Sequence, residues 1–377
     1  MTHIFLASPH MSDEGYEQEF IKEAFDTNWI APLGKNVNKF ESEMVNKLGA
    51  KAAVALTCGT AAIHMALKSI GIKPGDYVFC QSLTFSASAN PIVYEKAIPV
   101  FIDSDESWNI SPDALKKGFE KYKNNLPKAV IIVHLYGLVA NIKKIKAICE
   151  EYNVPLIEDA AESLGTTVDG KYTGTLGDYG VISFNGNKII TSSGGGMLLF
   201  NMEAANKRAR KVLFLSTQAR EQARHYEHKE IGYNYRMSNI VAGIGRGQLK
   251  VLEQRVIKKR YIYEYYQKEL ESLKGLKLMP RDMYDSYSNC WLTSVILEEG
   301  CKVSPFDIMT ALEENDIESR PIWKPMHLQP VFRNCDYINN GKTAERLFNN
   351  GVCLPSDTKM TDEDLKRVCN IIKRLWK

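Results

Sequence analysis

The sequence predicts an α/β protein, with a large doubly wound, mostly parallel sheet domain over residues 1–250 and a smaller α+β domain over 251–377. Three observations lead there. Between Ala52 and Phe200 short apolar runs alternate with segments of helical spacing. That alternation builds parallel strands with helices on both faces. The chain has 377 residues, more than one ordinary hydrophobic core serves. Beyond Gly275 the pattern shifts to fewer strands and more separated helices.

Seven apolar runs read as buried strands: Ala52–Thr57, Tyr77–Cys80, Pro99–Ile102, Ala129–His134, Val154–Glu158, Gly180–Phe184 and Met197–Phe200. Thr60–Ile70 and Ile142–Tyr152 carry helical spacing between them. Pro74-Gly75-Asp76 is a turn before a strand. Arg236 to about Leu273 reads as one or two long helices linking the domains, and Ser304–Asn315 and Asp362–Trp376 as helices of the second domain. In open α/β sheets ligands bind off the carboxyl ends of the strands, so chemistry is sought there.

Bulk composition narrows the function. Hydrophobic residues make up 44% and charged residues 25%, the balance of a soluble enzyme. A net charge of +3 argues against a dedicated nucleic-acid binder. The eight cysteines are scattered without a CxxC pair, which reads as reduced thiols rather than a disulfide framework or zinc site. Neither a secretory signal nor a run of roughly 18 apolar residues is seen, so a cytoplasmic location without membrane insertion is expected.

Three strand ends carry candidate chemistry. In Thr57-Cys58-Gly59-Thr60, Gly59 lets backbone approach a ligand and Thr60 can cap the following helix, whose N-terminus favours an anion. Taken alone, a plain helix cap is the favoured account. The run Val154 to Glu162 ends a buried strand in carboxylates, and Asp159 there needs a partner to stay ionised. A pyridinium N–H is one such partner; a surface carboxylate capping the next segment is an equal alternative. The third end, Ser183-Phe184-Asn185-Gly186-Asn187-Lys188, delivers a hydroxyl, a turn and one lysine, followed by Gly194-Gly195-Gly196. Most lysines are solvated surface charges, but Lys188 lies on a strand-end loop among small residues. A lysine forms a Schiff base with an aldehyde; pyridoxal phosphate also needs an anion site, an acid at its ring nitrogen and a flat partner. Phe85 is a candidate for the last, although a core phenylalanine is the plainer account.

Two motif matches fail on inspection. Gly165 to Lys171 resembles a P-loop but is followed by Tyr172, and its flanks read as extended chain around an Asp-Gly turn. Gly243-Ile244-Gly245-Arg246-Gly247 has the wrong spacing for a dinucleotide fingerprint and sits in a helical stretch, where close helix packing accounts for it.

The segments Asp159-Ala160-Ala161-Glu162-Ser163-Leu164-Gly165 and Ser183 to Ile190 resemble the DegT/DnrJ/EryC1/StrS sugar aminotransferases, as do Asn28 to Gly34 and Gly232 to Ser238. The likeness covers nearly the whole chain. Ser216 to Glu221, His225 to His228 and Arg320 to His327 are most similar to the aminotransferases of bacillosamine biosynthesis. The resemblance implies a fold-type I aminotransferase that uses pyridoxal 5′-phosphate. Lys188 would hold the cofactor covalently and carry the proton between carbon atoms. Asp159 would pair with the ring nitrogen, Phe85 would stack on the ring, and Gly59, Thr60 and Ser183 would bind the phosphate. Glu162 takes the place of a polar residue near the ring hydroxyl. Asn234 would reach the phosphate of a neighbouring subunit, implying a homodimer with shared sites, or a tetramer built from such dimers. Trp29, Asn187, Arg236, Trp323 and His327 lie in motifs that line the sugar-nucleotide pocket of relatives; Arg320 meets either a carboxylate or diphosphate, or a surface ion pair.

The same resemblance implies the reaction. L-Glutamate would supply the amino group to C4 of UDP-4-keto-6-deoxy-N-acetylglucosamine, with an equatorial product amine, for a bacillosamine-type glycan precursor. A dTDP-linked or 3-keto sugar is the nearest alternative, and a non-catalytic cofactor-binding regulator another. Some members are dehydratases with histidine in place of the lysine, so Lys188 favours transamination. One departure stands: Cys58-Gly59-Thr60 replaces the Asn/Ser-Ala-Thr of close relatives.

Overall fold

The computed structural model describes residues 2–377. Its centre is an eight-stranded sheet. Five strands, β1 (Ala52–Leu56), β2 (Tyr77–Gln81), β3 (Ile98–Ile102), β4 (Ala129–Val133) and β5 (Leu156–Asp159), are joined by Tyr179–Ser183, Gly196–Phe200 and Asp336–Ile338. From one edge the order is β1, Gly196–Phe200, Tyr179–Ser183, β5, β4, β2, β3 and Asp336–Ile338. All pairings are parallel except those of Gly196–Phe200, which runs antiparallel to both neighbours. The mostly parallel doubly wound sheet is therefore present, and each of the seven sequence-derived strands is in it. Every residue of β4, Ala-Val-Ile-Ile-Val, is buried, as a strand covered on both faces requires.

A second, antiparallel sheet orders Leu276–Leu278, Thr293–Leu297, Gly351–Leu354 and Arg320–Pro321. Helices Pro305–Glu313 and Asp362–Arg374 belong with it, and both start in capping boxes, Ser304 with Asp307 and Thr361 with Asp364. The boundary proposed at residue 250 places this sheet in the second unit; Asp336–Ile338, also beyond it, pairs with Val100–Ile102 of the first.

The long helical stretch resolves into two helices, Asn239–Leu249 and Leu252–Leu270. The first packs on α1 (Tyr16–Asp26) and α2 (Lys35–Leu48). Its glycines allow the approach: a Cβ on Gly245 would stand 2.6 Å from the Phe40 ring, and one on Gly247 2.6 Å from the Glu17 backbone nitrogen. Close packing, not dinucleotide binding, is what they do. The rejected P-loop is a hairpin, Thr167–Val168 against Lys171–Tyr172, turning through Asp169 and Gly170 at φ 48° and 74°. Two consecutive left-handed residues are the signature of a type I′ turn.

Successive residues of a strand face opposite sides, and β5 uses this to separate its two carboxylates. Glu158 is fully buried and accepts hydrogen bonds from His134 Nε2 (2.9 Å) and from the backbone N–H groups of Gly174, Leu176 and Gly177. Ala140 N–H donates to His134 Nδ1, which leaves the proton on Nε2. Glu158 thus ties the loop at 174–177 to the sheet and takes no part in the site. Glu158→Gln turns one acceptor oxygen into a donor facing these N–H groups. A loss of about 3 kcal/mol is expected, measured as a lower guanidinium midpoint with an unchanged slope; an unmoved midpoint would refute this anchoring role.

Candidate active site

The carboxyl ends of β1, β2, β5 and Tyr179–Ser183 open into one cleft of about 280 Å³. Gly59, Thr60, Phe85, Asp159, Glu162, Ser183, Asn187, Lys188 and Trp323 all line it. These residues span 265 positions of sequence, from 59 to 323, and only the sheet topology brings them together.

One wall is the start of α3 (Gly59–Ile70). Its N-cap is Cys58, whose Sγ accepts the Ala61 N–H at 3.3 Å. This corrects the expectation that Thr60 caps the helix: Thr60 lies inside the first turn. A Cβ on Gly59 would come 3.2 Å from Ser183 Cβ, so glycine lets the helix start press against the strand end that carries Ser183. Free N–H groups at a helix start with two hydroxyls beside them suit an anion.

Asp159 forms the floor. It is buried, accepts a 2.6 Å hydrogen bond from Ser88 Oγ and accepts the Ala161 N–H at 3.2 Å. Burial holds its carboxyl above the usual range, offset in part by Ser88, the Ala161 N–H, Lys188 and His134. A further cationic donor in the cleft is what this carboxylate lacks. Phe85 is 57% exposed at the cleft mouth, far from the core position that would make it structural, with its ring 6.0 Å from that of Trp323.

Lys188 follows a turn in which its N–H donates to the Asn185 carbonyl. Its Nζ lies 3.6 Å from Glu162 Oε1 and 4.2 Å from the centroid of the Trp291 ring. Glu162 Oε2 accepts the Tyr136 N–H at 2.8 Å. Burial raises the Glu162 carboxyl, and the Lys188 charge opposes this. Tyr136 is held at φ 55°, a left-handed conformation costly for a bulky residue. That turn aims its N–H at Glu162, while its hydroxyl accepts the Trp323 N–H at 3.1 Å.

Sequence reasoning missed Ser88, Tyr136 and Trp291. Tyr136 had a signal, because it follows the end of β4 as Glu162 follows the end of β5. Trp291 had none: it enters the cleft from the segment before Thr293–Leu297, in the other sheet.

Other expected contacts are not in the cleft. Arg236 is buried, and its guanidinium donates to Glu41 and to the Ala55 carbonyl. A buried guanidinium needs a carboxylate, and Glu41 takes it, so Arg236 is withdrawn as a substrate contact. His327 is stacked on Tyr337 with centroids 3.7 Å apart, and its Nδ1 is 2.6 Å from Ser82 Oγ; it braces the loop leading to Phe85 from behind. Arg320 is exposed on an edge strand, donates to the Ser319 carbonyl and lies 3.6 Å from Glu318, which favours the surface pair of its two alternatives. Trp29 and Asn234 are exposed outside the cleft.

A second lysine is buried outside the cleft. Lys259 donates to the Ser356 carbonyl, and burial pushes its ammonium down to about 8. The unfolded chain keeps this proton up to about 10.5, so the folded state carries a penalty below pH 8 that is relieved as pH rises from 8 to 10.5. The stability of Lys259→Met relative to the native chain is therefore expected to decline across that window, read from urea midpoints at pH 7 and 10. A pH-independent difference would contradict it.

A model of the DegT/DnrJ/EryC1/StrS aminotransferase family matches residues 12–373. The chain belongs to this family. It is 52% identical over 379 residues to EpsN of Bacillus subtilis, assigned by name as a pyridoxal phosphate-dependent aminotransferase, with 99% of this chain and 96% of EpsN covered. It is 37% identical over 364 residues to the GDP-perosamine synthase of Vibrio cholerae, covering 96% and 97%. The aminotransferase TlmJ of Streptoalloteichus hindustanus superposes with a TM-score of 0.90 at 27% identity, covering 99% and 98%. Aminotransferases of this family depend on pyridoxal phosphate. The cleft fits that cofactor: a helix start for the phosphate, a buried carboxylate short of a cationic partner for the ring nitrogen, and an amine in the same cleft.

Proposed function

We propose that this aminotransferase moves an amino group from L-glutamate to C4 of a nucleotide-linked 4-keto-6-deoxy sugar, UDP-4-keto-6-deoxy-N-acetylglucosamine, giving the 4-amino-4,6-dideoxy sugar. The observation that carries the chemistry is the convergence of Lys188, Glu162 and Asp159 in one cleft beside a helix N-terminus. The bound cofactor supplies an electron sink for breaking a bond at the amino-bearing carbon. Asp159, fixed by Ser88, keeps the proton on the ring nitrogen. Lys188 holds the cofactor and, once released, carries the proton from one carbon to the other. Glu162, 3.6 Å away, steadies the charge of that amine. Phe85 and Trp323 flank the mouth and exclude water once a ring lies between them.

Support for a sugar acceptor comes from the family and from the Vibrio cholerae relative, a synthase of GDP-perosamine by name. That relative also favours a second reading, in which the acceptor is a GDP-linked keto-sugar. The active form proposed is a homodimer. Trp29, Ile30 and Leu33 form an exposed apolar stretch, and Trp29 and Asn234 would act only by reaching a second copy. A cytoplasmic setting is part of the proposal; no helix among the described residues is long and apolar enough to cross a membrane.

A spectral half-reaction tests this. Glutamate should bleach the yellow enzyme, and after its removal UDP-4-keto-6-deoxy-N-acetylglucosamine should restore the colour. Restoration by a GDP-linked, dTDP-linked or 3-keto sugar instead would overturn the substrate and leave the chemistry. No bleaching with glutamate would point to a cofactor-binding regulator.

A further inference from the structure

Trp291 reaches the cleft from the segment leading into the second sheet and is 1% exposed. Its indole N–H donates to the Asn187 carbonyl at 2.9 Å, and Lys188 Nζ stands over its ring face at 4.2 Å from the centroid. The Tyr136 ring lies behind it, 6.3 Å away between centroids. One side chain thus meets the lysine at both ends, through the peptide before it and through its amine. A lysine has a flexible four-carbon stem, and its freedom is the obstacle to reaching one carbon atom along one line. An aromatic face attracts the amine's charged form and walls off the directions behind it.

We propose that Trp291 is a positioning residue for Lys188, aiming the amine at the cofactor's aldehyde carbon and retaining it nearby once released. The inference rests on Lys188 being the cofactor lysine. In the step concerned, the lone pair of the neutral Nζ attacks the aldehyde carbon. C=N replaces C=O, and the oxygen leaves as water with both amine protons.

The full-length chain, stripped of cofactor, is mixed with pyridoxal phosphate, and the growth of yellow colour is followed at rising concentration. The half-saturating concentration reports on the phosphate and ring contacts; the limiting rate reports on Lys188. Trp291→Leu should lower the limiting rate about tenfold and Trp291→Phe, which keeps an aromatic face but loses the N–H, about threefold. Half-saturation should stay within about twofold of native, because the α3 start and Asp159 are untouched. In the reloaded enzyme, bleaching by α-deuterated glutamate should show a larger isotope effect in the variants, as proton transfer becomes slower. Native limiting rates in both variants overturn the proposal, as does a parallel loss of rate and half-saturation, which marks general damage. If Trp291→Leu does not fold, Trp291→Phe decides on the same criteria. Should the native chain form no colour, or Lys188→Ala colour as fast, the cofactor-lysine reading falls and the proposal with it. That outcome is distinct from a failure of Trp291 alone, in which native and variant chains colour alike.

Discussion

Lys188→Ala is expected to lower turnover by about 10⁴-fold or more, the largest effect of any single change in this chain. Two functions leave with one amine: the covalent hold on the cofactor and the proton carrier. Among the described residues no other side-chain amine lines the cleft, and Lys259 is committed to the Ser356 carbonyl. Lys188→Arg should be nearly as inactive, because a guanidinium does not give up its proton to become a nucleophile. Folding should survive in both, since the lysine is a partly exposed loop residue. The measurement is single-turnover bleaching by glutamate, with borohydride trapping of cofactor to mark the covalent hold. Native-like turnover in Lys188→Ala would remove the basis of the proposed mechanism.

Asp159→Asn is expected to lower the rate of the glutamate half-reaction about 100- to 1,000-fold. Cofactor binding should weaken about tenfold, as a charge-assisted hydrogen bond becomes a neutral one. The geometry should largely persist: the Asn oxygen still accepts the Ala161 N–H, and its amide group, in place of the second carboxylate oxygen, donates to Ser88 Oγ as that hydroxyl turns to Thr84, so the main loss is the negative charge. The buried carboxylate is costly in the free protein, since burial raises it against its neighbours' pull. Its replacement should therefore leave the cofactor-free chain as stable as native or more so, while weakening the loaded one. The pair of measurements is a melting curve with and without pyridoxal phosphate and the rate of bleaching. Equal bleaching rates in native and Asp159→Asn chains would exclude a role at the ring nitrogen.

Much of the site was visible in the chain because strand ends are visible. Asp159 and Glu162 follow one apolar run, Ser183 and Lys188 follow another, and Gly59 and Thr60 open a helix after a third. A parallel sheet puts all such ends along one edge, so local reading located most of the cleft lining. Phe85 stood as a candidate for the ring's flat partner beside a plainer core reading, and Trp323 came from resemblance; nothing in their own spacing separates a cleft aromatic from a core one. Arg236 shows the limit of motif reasoning. It stands in a matching motif, yet its partner Glu41 lies 195 positions earlier, and that ion pair directs the guanidinium away from the cleft. Glu158 and Asp159 show the reverse case. Both end the same strand, and the alternation of side chains sends one to a structural loop and the other to the cleft.

By itself the sequence determined the architecture and the chemical parts. Strand and helix periodicity dictates a doubly wound sheet, and an amine, a carboxylate and a helix start at its strand ends limit the chemistry those parts can perform. Tertiary structure alone decided how they meet. Trp291 touches Lys188 because the segment leading into the second sheet shares a buried apolar cluster with the first sheet, Tyr136 turns its N–H to Glu162 through a left-handed residue, and Arg236 is taken by Glu41. Each is a contact between residues distant in the chain, set by the competition of many buried groups for space and hydrogen bonds. A periodic pattern records which face a residue presents; it does not record which neighbour will be there.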